Sequence, residues 1–371
     1  MAWQMQREGS ATIQVPTGKI TADLPVFYNP VMQMNRDITL QVLANIGDTL
    51  KIADPLAGSG VRAIRMLKEL PRSVIHQLWI NDGNNEAYRA ILKNFTLSDL
   101  KKPQPAKRSK AKGVFLGQED ANRFLTDYGP FHYIDIDPFG SPNPFLDTAV
   151  RTLLPGGVLA VTATDTSALA GSHPPACRRK YWAEPLKNEF MQETGCRILI
   201  RKVQLIAAQY DRALIPVLTY ADLHYVRVFF VLERGNPEPI LQQHQFLRFC
   251  AKCGKWDSAK QNSGTCCEQA MQIAGPLWIG QLWDRRFVKL RLVLSGDSFE
   301  LLSLLEAESA LQTVGFYDLH KISKRHKIPL RPIHNVQEAL TKAGFKSCRT
   351  HFSGTALRSD ADLEEMKKAM G

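Results

Sequence analysis

The sequence predicts an α/β protein built on an open, largely parallel, seven-stranded sheet, with a smaller α+β domain after it. Three observations predict it. Short apolar runs alternate with helical patterns over the first 230 residues, which is the rhythm of strand–helix–strand units. A glycine turn, Gly58-Ser59-Gly60, follows the first run. The fourth run, Tyr133-Ile134-Asp135-Ile136, ends in Asp137-Pro138-Phe139-Gly140, an apolar strand that delivers a carboxylate to the sheet edge where such folds bind ligands.

After a polar lead-in, Leu24-Pro25-Val26-Phe27-Tyr28-Asn29-Pro30 reads as a rigid aromatic turn before a helix over residues 34–46, with Arg36 in its first turn. Thr49 to Ala53 is the first strand, and Asp54-Pro55-Leu56-Ala57-Gly58-Ser59-Gly60-Val61-Arg62-Ala63-Ile64-Arg65 leads from it into a helix. Two glycines let backbone approach a ligand closely, although Gly-x-Gly turns also recur for packing alone. The second strand, Leu78 to Asp82, ends in an acid suited to the two hydroxyls of a ribose; the plain alternative is a helix cap. Residues 101–112 hold six basic residues and two prolines and read as a solvated loop able to touch phosphate. The third strand, Gly113 to Leu116, precedes Glu119-Asp120-Ala121-Asn122, where Asp120 can accept from an adenine amino group.

Past the fourth strand, Pro138 removes a donor and frees the Asp137 side chain and a neighbouring carbonyl. With the ring of Phe139 they suit an exocyclic amino group on a nucleobase, the oxygens accepting its N–H bonds and the ring stacking. An Asp-Pro turn is the competing reading. Gly156 to Val161 is the fifth strand, and Thr162 to Thr166 ends it in polar groups. Arg178-Arg179-Lys180 is a candidate phosphate contact or an exposed helix start. A helix at 197–210 and strands near 214–220 and 225–233 complete the sheet, and Glu233-Arg234-Gly235-Asn236-Pro237-Glu238-Pro239 marks the domain break.

A net charge of +11 and a pI near 9.3 point to a polyanionic partner. No apolar run approaches the ~20 residues of a membrane span, and the N-terminus has no signal-peptide pattern, so a cytoplasmic or nuclear location is expected. Four of the seven cysteines crowd into residues 250–267. Cys250 and Cys253 have knuckle spacing, and after 12 intervening residues Cys266 and Cys267 are adjacent, so the chain must bend to aim both at one ion; the set suits tetrahedral zinc over free thiols. Lys252, Lys255 and Trp256 beside the knuckle offer an RNA contact. Cys177, Cys196 and Cys348 read as packed or free thiols. Gly275 to Trp283 reads as aromatic packing. Residues 316–351, a helix rich in His and Lys, a second helix after His334 and a basic strand-like Lys346 to Phe352, have a winged-helix rhythm with cations to offer RNA.

The ordered series of glycine turn, Asp82, Asp120 and Asp-Pro-aromatic is characteristic of class I S-adenosylmethionine-dependent methyltransferases, which have a Rossmann-like sheet. More specifically, Phe27-Tyr28-Asn29-Pro30 with Asn35-Arg36-Asp37, Gly58 to Arg65, Asp135 to Pro142, Thr162-Ala163-Thr164-Asp165 and Arg349-Thr350-His351-Phe352-Ser353 together resemble the tRNA (guanine-N2-)-dimethyltransferases acting at position 26. The resemblance spans nearly the whole chain. It implies a methyltransferase domain over residues 1–240, a tRNA-binding domain with the cysteine cluster over 241–371, and mono- then dimethylation of guanine N2. It also implies Phe27, Arg36, Arg62 or Arg65, Asp82, Asp120 and Ala121 around the methyl donor, with Asp137, Pro138 and Phe139 at the reacting base and Asp137 as acid/base. The alternatives are methylation of another nucleobase amine in rRNA or DNA, and a non-catalytic tRNA-binding folding factor.

Overall fold

In the computed structural model, which describes residues 2–18, 21, 24–222, 224–294 and 296–371, the first element is one that the sequence reading passed over as polar lead-in. Strands β1 (Trp3–Glu8) and β2 (Ala11–Pro16) form a hairpin, Glu8 opposite Ala11 across a two-residue turn whose Gly9 has φ +52°. Alternation explains it: Ala11, Ile13 and Val15 are buried on one face.

The predicted strand–helix series follows. The 3-10 turn Pro30–Met32, capped by Asn29 Oδ1 accepting from Val31 N at 3.0 Å, leads into α1 (Gln33–Ile46). Then come β3 (Leu50–Asp54), α2 (Val61–Glu69), β4 (Ile75–Asn81), α3 (Asn85–Leu97), β5 (Gln104–Pro105), β6 (Gly113–Gly117), α4 (Ala121–Tyr128), β7 (Phe131–Ile136), α5 (Asn143–Thr152), β8 (Leu153–Ala163), α6 (Thr166–Leu169), α7 (Pro174–Tyr181), α8 (Met191–Ala208), β9 (Ala213–Asp222) and β10 (Tyr225–Glu233). The sheet has eight strands in the order β5-β6-β4-β3-β7-β8-β10-β9, one more than the seven expected. The addition is β5, a two-residue edge inside the basic 101–112 segment, parallel to β6. Its Pro105 is tolerated because an edge strand can spare a donor.

From β3 the chain steps outward to β4 and β6, then returns to β7 on the other side of β3. All of these pairings are parallel. The order therefore reverses between β3 and β7, and the crevice at their carboxyl ends is the switch point at which open α/β sheets take ligands. Ile52, Leu78, Ile80, Ile134, Ile136, Val158 and Val161 are fully buried, each contributing about 1.5–3 kcal/mol, which keeps those strand ends in fixed register. Trp79 stacks between Phe115 and Tyr128 with centroids 4.4 and 4.7 Å away.

By compactness the chain divides into Met1–Ala163 with Phe229–Arg234 and Lys289–Phe299, and Thr164–Val228 with Gly235–Val288 and Glu300–Gly371. In the second unit, His244–Phe249 pairs antiparallel with Trp256–Ala259 and Gln272–Trp278. The expected packing role of 275–283 holds: Leu277, Trp278, Leu282 and Trp283 are buried, and Trp283 Nε1 donates to Thr219 O at 2.7 Å.

The chain end is a module of Tyr317–Asp318, helices Leu319–His326 and Ile333–Lys342, strands Ser347–Thr350 and Ser353–Ser359, and helix Leu363–Met370, around Ile322, Val336, Leu340, Leu357 and Met366. The second helix begins at Ile333, just before His334, and the basic strand is a hairpin broken at His351 and Phe352. The segment 349–353 is tied down by charge. Glu308 accepts from Thr350 Oγ1 (2.6 Å), pairs with His351 Nδ1 (2.5 Å) and accepts from Arg358 Nε (3.1 Å). Arg358 Nη2 reaches Glu193 (2.9 Å), which also accepts from Arg197 Nε (2.8 Å). Burial would raise the Glu193 carboxyl, but Arg358 and Arg197 hold it down at about 2.

Candidate active site and cysteine cluster

The glycine turn is shaped first by the chain beside it. Gly58 has φ +53°, and a Cβ there would lie 2.6 Å from the Phe27 carbonyl oxygen; Gly60, φ +76°, ends the turn as the residue before α2. Ser59 N donates to that same Phe27 carbonyl at 3.1 Å, so the Phe27 turn and the glycine turn are stitched together. No side chain fits at either glycine without strain.

Acids line the strand ends. Asp82 Oδ2 accepts from Gly58 N and Oδ1 from Asn84 N, both at 2.9 Å. Asp82 is not the helix cap, since Asn84 caps α3 by accepting from Glu86 N at 2.8 Å. Burial raises the Asp82 carboxyl, and the two backbone donors oppose the rise. Asp120 Oδ1 caps α4, accepting from Asn122 N and Arg123 N at 3.0 Å, while Ala121 is the buried first residue of that helix. Asp54, at the end of β3, was given no role from sequence. It is fully buried, and its Oδ2 has no hydrogen-bond partner among the described residues. Burial pushes its carboxyl up to about 7; Arg62 opposes this, and Asp135, Asp137 and Asp82 add to it. The ends of β3, β4 and β7 thus converge electrostatically on Asp54.

The three arginines fall into two groups. Arg62, in the first turn of α2, donates to Asn35 Oδ1 (3.0 Å) and Thr39 Oγ1 (2.8 Å), lies 3.3 Å from Asp135 Oδ2, and is ion-paired through Nη2 with Asp137. Asp135 is fully buried and also accepts from Tyr133 OH at 2.8 Å. Arg36 and Arg65 instead meet at Glu8. Arg36 makes a bidentate pair with it (2.6 Å twice), and Arg65 Nη1 adds a third contact (3.0 Å) while its other nitrogens bind Asp37 (2.5 Å) and Glu69 (2.9 Å). Sequence reasoning missed Glu8, because its partners lie 28 and 57 residues along the chain. At the mouth, Phe139 is 59% exposed and Phe27 meets it edge to face with centroids 5.8 Å apart. Pro138 is buried and Asp137 half-buried.

The four cysteines come together: Cys250, Cys253, Cys266 and Cys267 place their sulfurs within 4.8 Å of one another. Cys253 to Cys266 is 3.6 Å and Cys266 to Cys267 3.8 Å, close to the edge of about 3.8 Å that a Zn–S bond of about 2.3 Å gives a tetrahedron. The bend that adjacent cysteines need is present, as Cys267 has φ +50°. The knuckle is fastened by His326 Nε2 to Cys253 O at 2.8 Å. Trp256 is not available to RNA: its ring packs on Phe190 and Tyr317 and its Nε1 donates to Val314 O. Cys177 and Cys196 are buried thiols, and burial pushes Cys177 up to about 12.

Several proposed phosphate contacts are already paired. Arg178-Arg179-Lys180 lies in the last turn of α7, not at a helix start, where cations suit the helix dipole. Arg178 pairs with Glu184 (2.7 Å) and Lys180 with Asp165 (3.0 Å). Arg325 is held by Glu189 at 2.5 and 3.0 Å. Lys321, Lys324, Lys346 and Arg349 are exposed. No helix among the described residues is long and apolar enough to cross a membrane.

A doubly wound sheet with a glycine turn, an acid at each successive strand end and Asp-Pro-Phe at the switch point defines an α/β methyltransferase. The comparisons then give the family. The model of the N2,N2-dimethylguanosine tRNA methyltransferases matches residues 9–371. A tRNA (guanine(26)-N(2)/guanine(27)-N(2))-dimethyltransferase of Aquifex aeolicus is 38% identical over 99% of this chain and 95% of its own. A tRNA (guanine(26)-N(2))-dimethyltransferase of Pyrococcus horikoshii is 36% identical over 96% and 95%. The solved structure of Trm1 from Pyrococcus horikoshii with S-adenosyl-L-methionine is 34% identical, with a TM-score of 0.87 over 99% of each chain. The chain belongs to the N2,N2-dimethylguanosine tRNA methyltransferase family.

Proposed function

We propose that the protein transfers methyl groups from S-adenosylmethionine to N2 of guanine 26 in tRNA, giving N2-methyl- and then N2,N2-dimethylguanosine. The observation that carries this is Asp137-Pro138-Phe139 at the carboxyl end of β7, beside the switch-point crevice, with the exposed Phe139 ring next to a carboxylate fixed by Arg62. The crevice suits the methyl donor on its own terms: Asp82 stands at the strand end for the ribose, and a buried Asp54 oxygen still lacks a partner among the described residues. For contact with the donor we propose Phe27, Asp82, Asp120 and Ala121, with Arg36 and Arg62 or Arg65 behind them; Arg36 and Arg65 act through Glu8, on which both close.

When bound, S-adenosylmethionine supplies an electrophilic methyl on a sulfonium. Phe139 stacks on the guanine, while the Pro138 carbonyl and Asp137 accept the two amino hydrogens and turn the nitrogen lone pair toward the methyl. As the N–C bond forms, the methyl's bond to sulfur breaks, leaving S-adenosylhomocysteine, and positive charge grows on nitrogen; Asp137 stabilises it and then takes one proton. The second methylation needs a fresh methyl donor and the one remaining N–H turned to Asp137, which takes that proton as the second methyl leaves sulfur for nitrogen.

We further propose that the four cysteines hold a structural zinc ion, and that residues 1–240 act as the methyltransferase domain and 241–371 as the tRNA-binding domain. The test of the activity is to incubate unmodified tRNA with labelled methyl donor and digest it to nucleosides. Label in N2-methyl- and N2,N2-dimethylguanosine is expected. Label confined to another nucleoside contradicts the proposal.

A further inference from the structure

The residue that closes α7 is Trp182, which takes up the left-handed conformation, φ 57° and ψ 39°. Bulky side chains rarely adopt it, and glycine is the usual residue there. Its N–H donates to Arg178 O and its carbonyl accepts from Arg201 Nη1, both at 3.1 Å. The indole is left 52% exposed, whereas Trp79, Trp278 and Trp283 are buried.

Two cations on α8 hold this residue, Lys202 at the ring and Arg201 at the backbone carbonyl. Lys202 is only 5% exposed, and its ammonium lies over the ring face, 2.9 Å from the centroid. Among the described residues it has no ion pair and no hydrogen bond. Arg201, beside it, has a buried Nε without a partner. A buried cation with no counter-charge is costly, and burial, then Arg201, draw the Lys202 ammonium down to about 8. Nearby in sequence, exposed Arg179 has no ion pair among the described residues, unlike Arg178 and Lys180. An aromatic face beside unneutralised cations is how proteins hold an unpaired nucleotide, the base stacking and the phosphate meeting the charge.

We propose that Trp182, Arg201, Lys202 and Arg179 form a nucleotide site for the RNA substrate: a base stacks on the outer face of the indole, whose inner face is backed by the Lys202 ammonium, and its flanking phosphates pair with Arg201 and Arg179. The site rests on the reading of the chain as a tRNA methyltransferase. It assigns a role to a strained, exposed aromatic residue and to two cations that the fold leaves unneutralised.

The test measures binding of unmodified tRNA across a salt series by the full chain and by Trp182→Ala, Trp182→Phe and Arg179→Gln, with methyl-donor binding as the control for folding. Trp182→Ala is expected to weaken tRNA binding about ten-fold, the order of one base–aromatic stack. Trp182→Phe should stay within about three-fold of wild type, because it keeps a stacking ring. Arg179→Gln should flatten the slope of log affinity against log salt by roughly one or slightly less. Wild-type affinity and slope in both Trp182→Ala and Arg179→Gln, with donor binding intact, would overturn the site. Failure of the wild-type chain to bind tRNA at all would instead remove the functional reading, and this site with it.

Discussion

Arg62 clamps Asp137: its Nη2 pairs with the Asp137 carboxylate while Nη1 reaches Asn35 and Thr39, and Asp135 lies 3.3 Å away. One guanidinium on the first turn of α2 therefore fixes the carboxylate at the end of β7, and Asn35 ties the same point to Thr162 of β8 at 3.3 Å. The acid/base assigned to the reaction is held before any ligand arrives, which is what an aligned amino group requires.

Arg62→Lys is expected to lower kcat by at least ten-fold with a smaller change in KM for tRNA, because one ammonium cannot reproduce a fork that serves four oxygens. Arg62→Gln should be worse, leaving Asp135 and Asp137 without their cation, at a cost in stability of about 3–5 kcal/mol. Steady-state kinetics and melting curves check this; equal kcat in Arg62→Lys would show that the clamp is dispensable.

Asp82→Ala should weaken methyl-donor binding and leave tRNA binding nearly unchanged, since a charged hydrogen bond to ribose contributes about 1.5–3 kcal/mol. Asp82 also receives Gly58 N, so some of the loss comes through the glycine turn. Calorimetry showing wild-type donor affinity would reduce Asp82 to a turn residue.

Metal analysis of protein purified without chelator should find about one zinc per chain, lost in a Cys250→Ser/Cys253→Ser double variant that still binds the methyl donor. Metal-free wild-type protein would leave the four sulfurs as clustered thiols.

The Glu193–Arg358–Glu308 cluster predicts a pH dependence of stability. Glu193 is lowered from 4.5 to about 2 in the fold, so its contribution, about 3 kcal/mol, is fully present above about pH 4.5. Stability is lost as pH falls from there through about 2. Glu193→Gln should therefore melt well below wild type at pH 7, and the gap should narrow as pH falls toward 2. A gap independent of pH would place the loss in packing.

Much of the site was legible because chemistry and spacing coincide. An apolar run ending in Asp-Pro-Phe, a glycine turn after a strand and acids at strand ends are each written in consecutive residues, and the sheet places them where expected. Contacts between distant segments were not legible. Nothing near Glu8 announces that Arg36 and Arg65, 28 and 57 residues on, close on it, nor does the Arg325 sequence show its carboxylate at Glu189. Asp54 was hidden differently: its burial, which makes it distinctive, depends on β3 lying mid-sheet. The β1–β2 hairpin was missed although Ala11, Ile13 and Val15 alternate, because polar residues on the other face of a two-stranded ribbon dilute the pattern.

Guanine 26 of tRNA is the proposed methyl acceptor and Asp137 the proposed acid/base. The most direct measurement is single-turnover methyl transfer, with both substrates saturating, to unmodified tRNA and to the same tRNA with adenine at position 26, by wild type and by Asp137→Asn. The account predicts rapid transfer by wild type to the guanine tRNA alone, and a rate lower by about 10²–10⁴ in Asp137→Asn with tRNA binding retained. Equal transfer to the adenine-26 tRNA, or a wild-type rate in Asp137→Asn, would contradict it.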